Sequence, residues 1–415
     1  MQRVVITGLG AVTPIGLAVE EFWRNLVDGI SGVGPITSFD PTGFPVRIAA
    51  EVKGFDPRDY MDFKEARRSH RSAHFALAAA RMALEDAGVT VDRANAEEIG
   101  VVINTGGGGI GELEAAAHIL AQKGPRGVGP LVVPNVMANA AACLVSIGLG
   151  AKGPVVTSTS ACASGTQALL EAMHLLRRWE AEAVIAGGTE SAITPVAMAS
   201  LANAGALSRR NDEPGRASRP FDRDRDGFVM GEGAVAMVLE TKAHARRRGA
   251  RVYAEVAGGA LTADAHHITA PDPAGHGATR AMRRALEYAQ MRTDEINAVF
   301  AHGTSTPLND VVETRAIKDV FGPHAHHLAI SATKSMVGHL LGAAGAISAL
   351  AAVLAIRDGL VPPTVNLEHP DPACDLDYVP NIGRRCPVQA AMVNAFGFGG
   401  QNAVLIVREY SHEDR

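Results

Sequence analysis

The chain has 415 residues, 47% hydrophobic and 20% charged, enough apolar material for two halves that each carry a core. A formal net charge of −5 excludes a strongly basic nucleic-acid binder. Its four cysteines, Cys143, Cys162, Cys374 and Cys386, show no CxxC pair and no zinc spacing, so no metal site is implied and a reducing cytosol is the expected compartment.

In chain order, a strand pattern at residues 4–7 starts directly after Arg3, without the apolar core of a signal peptide, which predicts a cytoplasmic protein. A basic run, Phe63-Lys64-Glu65-Ala66-Arg67-Arg68, precedes an Ala-rich helix at 73–87. Residues 99–104 form the next strand and lead into a glycine loop, Gly106 to Gly109. The uncharged stretch 127–151 reaches bilayer length, but Pro130, Pro134, Asn135 and Asn139 predict a loop followed by a buried helix and no membrane insertion. A strand from Val155, a small-residue turn and a helix to Leu170 place Cys162 at a helix N-terminus, and residues 182–188 form a further strand. A second half repeats the plan, with strands at 252–257, 298–302, 328–331 and 391–394, a helix at 277–289, and an Ala/Gly-rich helix at 338–356 suited to tight internal packing. The boundary falls near residue 250, giving halves 1–250 and 251–415 of α/β type.

Unpaired N–H groups and the helix dipole predict that the Cys162 sulfur is more acidic and more nucleophilic than a free thiol. Two histidines follow apolar strands or glycines downstream, His302 before Gly303 and His339 after Gly338, with Lys334 five residues ahead of the second. Near the C-terminus, Phe396-Gly397-Phe398-Gly399-Gly400 is a turn whose bare backbone can aim an N–H at a ligand. Glu313 falls on a helix pattern after Asn309-Asp310, which predicts an N-terminal cap there.

Together with residues 3–16 and 218–233, these segments resemble the elongating, synthase II-like β-ketoacyl-acyl-carrier-protein synthases of the thiolase superfamily, nearly end to end. The resemblance implies the thiolase fold: two pseudo-repeated halves, with two mixed sheets among helices in a five-layer αβαβα sandwich. It implies decarboxylative condensation of malonyl-carrier with an acyl group on Cys162, the N–H groups of Cys162 and Phe398 holding the acyl oxyanion, and His302 and His339 holding the malonyl oxygen through Nε2. Lys334 is implied to support His339 and to pair with Glu313, and Phe398 to gate the acyl pocket. Thr304 and Thr306 are implied to meet the phosphopantetheine arm, which arrives on the carrier, so no resident cofactor is expected. Lys64, Arg67, Arg68 and Arg126 are implied to receive the acidic carrier protein. The family also implies a homodimer.

Departures from the family pattern concern the substrate. Gly107 stands where elongators of long chains carry a bulky aliphatic residue, and Val132 and Leu201 replace aromatic side chains around the acyl pocket. An enlarged pocket is predicted, since an unfilled apolar cavity is costly. Val337 and Ala395 replace Thr and Ser without removing a catalytic group. A ketosynthase of a specialised type II polyketide or unusual lipid pathway is therefore the alternative to fatty acid elongation. Neither Cys374 nor Cys386 sits in the Cys-x-Gly setting of a degradative thiolase, and His324-Ala325-His326-His327 is read as a solvated turn.

Overall fold

The computed structural model describes residues 2–411. The first half contributes β1 (Val4–Val12), β2 (Ile99–Asn104), β3 (Val155–Val156), β4 (Ala183–Glu190) and β5 (Gly233–Thr241). The second contributes β6 (Ala254–Ala263), β7 (Ala298–Phe300), β8 (Ala329–Ser331), β9 (Ala390–Gly397) and β10 (Gln401–Arg408). Their spatial order is β3-β2-β4-β5-β1 and then β6-β10-β9-β7-β8, so each strand of one half has its counterpart in the other. The pairing directions match as well: β2 is parallel to β3 and β4, as β7 is to β8 and β9, and the remaining pairs within each half are antiparallel.

The two expected sheets are continuous. An antiparallel ladder of β1 Val4, Val5 and Ile6 with β6 Val256, Glu255 and Ala254 fuses them into one ten-stranded sheet. Helices complete five layers. α1 (Arg71–Ala87) and α2 (Ala140–Leu149) cover the outer face of the first half through Phe75, Leu77 and Val145. α3 (Ser164–Arg177) fills the middle with a later helix, α6 (Ala344–Asp358), through Leu169, Met173, Ile347 and Leu350. α4 (His276–Ala289) and α5 (Pro307–Phe321) cover the second half through Met282 and Ile317.

The middle layer explains the apolar stretch that leads into and forms α6. Residues Leu341–Asp358 are apolar and long enough to cross a membrane, but 78% of that window is buried inside the protein, because α6 has a sheet on either side. Small residues allow the approach: a Cβ at Gly165 of α3 would stand 2.7 Å from the Ala346 nitrogen of α6. By contrast α2, expected to be buried, buries only Ala141, Ala142 and Val145 and leaves Ile147 72% exposed. The strands β5 and β10 were not anticipated from sequence. All nine residues of β5 are buried, so it shows no alternation. β10 follows directly on the Gly399-Gly400 turn, where both residues have positive φ.

Candidate active site

β3 leads into a tight turn, Ala161–Ala163, and α3 begins at the next residue. Ala161 has φ 49, a conformation that L-residues rarely adopt and that aims the next side chain into the site. The Cys162 thiol is buried, with His339 Nε2 3.0 Å from Sγ. The backbone N–H groups of Phe398 and of Cys162 itself point at the sulfur and favour its charged form, as does the nearby Lys334 ammonium. Burial outweighs them and pushes the thiol up to about 11, with the Glu190 carboxylate adding to the rise. The expected acidification is therefore corrected: dehydration of the sulfur exceeds the pull of the helix terminus, and Cys162 rests as a thiol.

His302 follows β7, where the Glu313 carboxylate accepts the N–H groups of His302 and Gly303, both at 2.8 Å, and Asn394 Nδ2 at 3.1 Å. Lys334 Nζ donates to the His302 carbonyl at 2.5 Å and lies 3.5 Å from His302 Nδ1. Lys334 thus supports His302 rather than His339, and Glu313 acts on it through longer-range charge rather than as a hydrogen-bonded partner. Burial lowers Lys334 to about 8, which leaves it cationic at neutral pH. Both imidazoles lie well below the usual histidine range because they are buried beside Lys334, and both are neutral. A cation facing His302 Nδ1 leaves the ring hydrogen on Nε2, as a donor. The rings stand 5.6 Å apart between centroids and almost perpendicular; His339 Nδ1 has no hydrogen-bond partner among the described residues. Helix α5 is capped by Thr306, whose hydroxyl accepts from the Asn309 N–H, not by Asn309-Asp310. Asp310 instead accepts the Thr304 and Phe221 N–H groups and faces Arg225 at 3.6 Å.

Cys162 and Phe398 are the shared wall of two cavities. The outer one, of about 340 Å³, is lined by His302, His339, Thr304, Thr306 and Leu308. The one on the other side of Phe398, called the inner one, of about 300 Å³, is apolar, is lined by Gly107, Ile110, Ala197, Leu201 and Met230, and opens to the surface at the exposed Val196. Phe398 is 38% exposed and stands between them, its turn tied down by the Gly399 N–H to Ile268 O at 2.7 Å. Thr304 and Thr306 hydroxyls bond each other at 2.9 Å. Gly107 and Leu201 both line a cavity shared with Cys162. Val132 is not: it lies in a short helix, Val132–Val136, outside both cavities and next to the exposed Val133. Lys64, Arg67 and Arg68 are exposed, as is Arg126, and none of them lines a cavity. Arg67 lies over the ring of Phe63, and Asn135 Nδ2 donates to the Arg68 carbonyl, joining the basic helix to the 132–136 segment. The histidines at 324–327 form a 3-10 turn in which His324 Nε2 meets the Ile296 carbonyl.

A thiol beside one neutral histidine, a second histidine oriented by lysine, and two backbone N–H groups at the sulfur form an acyl-transfer site. Family models match both halves: the beta-ketoacyl synthase N-terminal domain over residues 1–245 and the C-terminal domain over residues 253–368. The chain belongs to the β-ketoacyl synthase family. This synthase is an acyltransferase, 51% identical over 409 residues to the 3-oxoacyl-[acyl-carrier-protein] synthase 2 of Synechocystis sp., covering 99% of this chain and 98% of that protein. It is 47% identical to the enzyme of the same name from Coxiella burnetii, covering 98% of each. Among solved structures it is similar to the ishigamide ketosynthase/chain length factor, with TM-score 0.92 at 37% identity, and to a type II PKS ketosynthase in complex with its acyl-carrier protein and bound to the hexaketide, with TM-score 0.90 at 36% identity. Both cover 99% of this synthase and 100% of the matched chain.

Two buried groups of the synthase escape the sequence reading, Asn394 and Glu190. Asn394 is hidden in the strand that carries the glycine turn. Glu190 had a signal: an acid at the C-terminal end of a fully buried strand, where α/β sheets place their sites.

Proposed function

We propose that this synthase extends an acyl chain by decarboxylative Claisen condensation of malonyl-[acyl-carrier protein] with an acyl group held on Cys162, in fatty acid elongation. The observation that carries the reading is the Cys162 sulfur at the junction of the two cavities, with His339 Nε2 at 3.0 Å and His302 beside it. In the first step the sulfur attacks the acyl thioester, the carrier thiolate leaves, and the thiol proton passes to it. The N–H groups of Cys162 and Phe398 hold the oxyanion. In the second, malonyl thioester loses CO₂, and the electron pair moves onto an enolate whose oxygen accepts from the two histidine Nε2 positions. The enolate carbon then attacks the acyl carbon and Cys162 departs as thiolate, regaining a proton from water. No resident cofactor enters these steps; the phosphopantetheine arm is part of the substrate and would pass Thr304 and Thr306. Identities of 51% and 47% to the synthase 2 relatives over nearly the whole of each chain support fatty acid elongation over the specialised pathway.

The acidic carrier is assigned to Lys64, Arg67, Arg68 and Arg126, and the enzyme to the cytoplasm as a homodimer. β3 is an edge strand, with Val155 40% exposed and Val133, Met137 and Ile147 open around it, a surface that an isolated chain leaves wet. Val132 lies in the short helix beside the exposed Val133, and its assignment here is to the subunit boundary rather than to the acyl cavity of its own chain. Mass spectrometry of the protein with a ladder of acyl-carrier thioesters, with and without malonyl carrier, tests the reaction. Acyl adducts on Cys162 and β-keto products two carbons longer are expected. A folded protein that takes no saturated acyl chain would overturn the fatty acid reading.

A further inference from the structure

Glu190 closes β4 with no exposed surface, and its donors are all on two loops: Gly106 N–H at 2.8 Å, Gly107 N–H at 3.2 Å and Thr105 hydroxyl at 3.2 Å on one, Gly342 N–H at 3.1 Å on the other. Among the described residues it forms no ion pair, so a carboxylate is held in the interior by backbone N–H groups and one hydroxyl, which costs far more than an exposed one. The loops are built around it. A Cβ at Gly342 would fall 2.2 Å from the Gly106 nitrogen, and one at Gly106 would fall 2.9 Å from Glu190 Oε2, so only glycine lets them close on the acid. Gly106 and Gly107 on one loop and Leu341 on the other line the inner cavity with Cys162.

We propose that Glu190 is a positioning residue: by accepting from both loops at once it clamps opposite walls of the inner cavity together and so keeps the room that a long acyl chain needs. The clamp rests on the reading of the inner cavity as the acyl site, and loading by short chains reports on that reading separately.

The test follows acyl loading of Cys162 from long and short acyl-carrier thioesters, with alkylation of Cys162 by iodoacetamide as the check that the site is intact. Glu190→Gln keeps the volume but turns an amide NH₂ toward N–H donors, and Thr105→Val removes one donor and leaves the carboxylate. In both, the ratio of long-chain to short-chain loading should fall while alkylation persists. An unchanged ratio in folded Thr105→Val would overturn the clamp, even if Glu190→Gln failed to fold.

Discussion

In the proposed reaction Cys162 and His302 divide the chemistry between them, and single substitutions should separate the steps. Cys162→Gln removes the acyl acceptor but leaves both imidazoles, so condensation is expected to vanish while malonyl decarboxylation, read as CO₂ release, continues. His302→Ala should still accept an acyl group on Cys162, by mass spectrometry, but lose about a hundredfold or more in condensation, the usual cost of one oxyanion donor. The Cys162→Gln protein also isolates a pH effect. Lys334 is cationic below its lowered value of about 8 and neutral above it, and its proton orients His302. Decarboxylation by that variant should therefore fall as pH rises through about 8; a flat profile to pH 10 would remove Lys334 from this role. The nucleophile and both histidines were legible in sequence because each sits at a strand end or glycine turn. The partner of Lys334 was not, since a buried lysine's direction depends on which carbonyl lies within reach, and here that is His302 O.

Between elements, the site is set by how closely α3 and α6 approach. Their N-terminal turns are counterparts in the two halves, Ala161–Ala163 and Leu341–Ala343, each opening on a non-glycine residue with positive φ, Ala161 at 49° and Leu341 at 41°. Strain at one turn presents the nucleophile, and strain at the other sets a wall of its cavity. Gly165→Ala would place a methyl 2.7 Å from the Ala346 nitrogen and 2.9 Å from the Gly342 carbonyl, both backbone atoms that cannot rotate away. A loss of about 1–3 kcal/mol, as for other overpacked sites, is expected in thermal unfolding, together with slower acylation of Cys162. α6 was readable from its Ala-rich pattern, although it starts at Ala344, after the Leu341–Ala343 turn, and not at 338. β5 was not, because a strand buried on both faces has no polar positions to mark its period.

For the whole molecule, the duplicated plan was visible in the alternation of strands and helices, whereas the fusion of the halves into one sheet depends on only three residue pairs between β1 and β6, too short a ladder to announce itself in sequence. The predicted dimer is tested at the opposite edge. Ile147→Glu puts a charge into the apolar surface beside β3 and should shift sedimentation toward a single chain, and with it reduce acyl loading if a second copy completes the cavity. One sulfur serving two chambers also imposes an order in time. In the proposed reaction the delivering carrier and the malonyl carrier each place their reactive end in the same outer chamber of about 340 Å³, where His302 and His339 stand. The catalyst therefore works as a queue with a memory: the growing chain waits behind Phe398 as the only record of the first visitor, and an empty carrier that lingers at the entrance delays both callers alike.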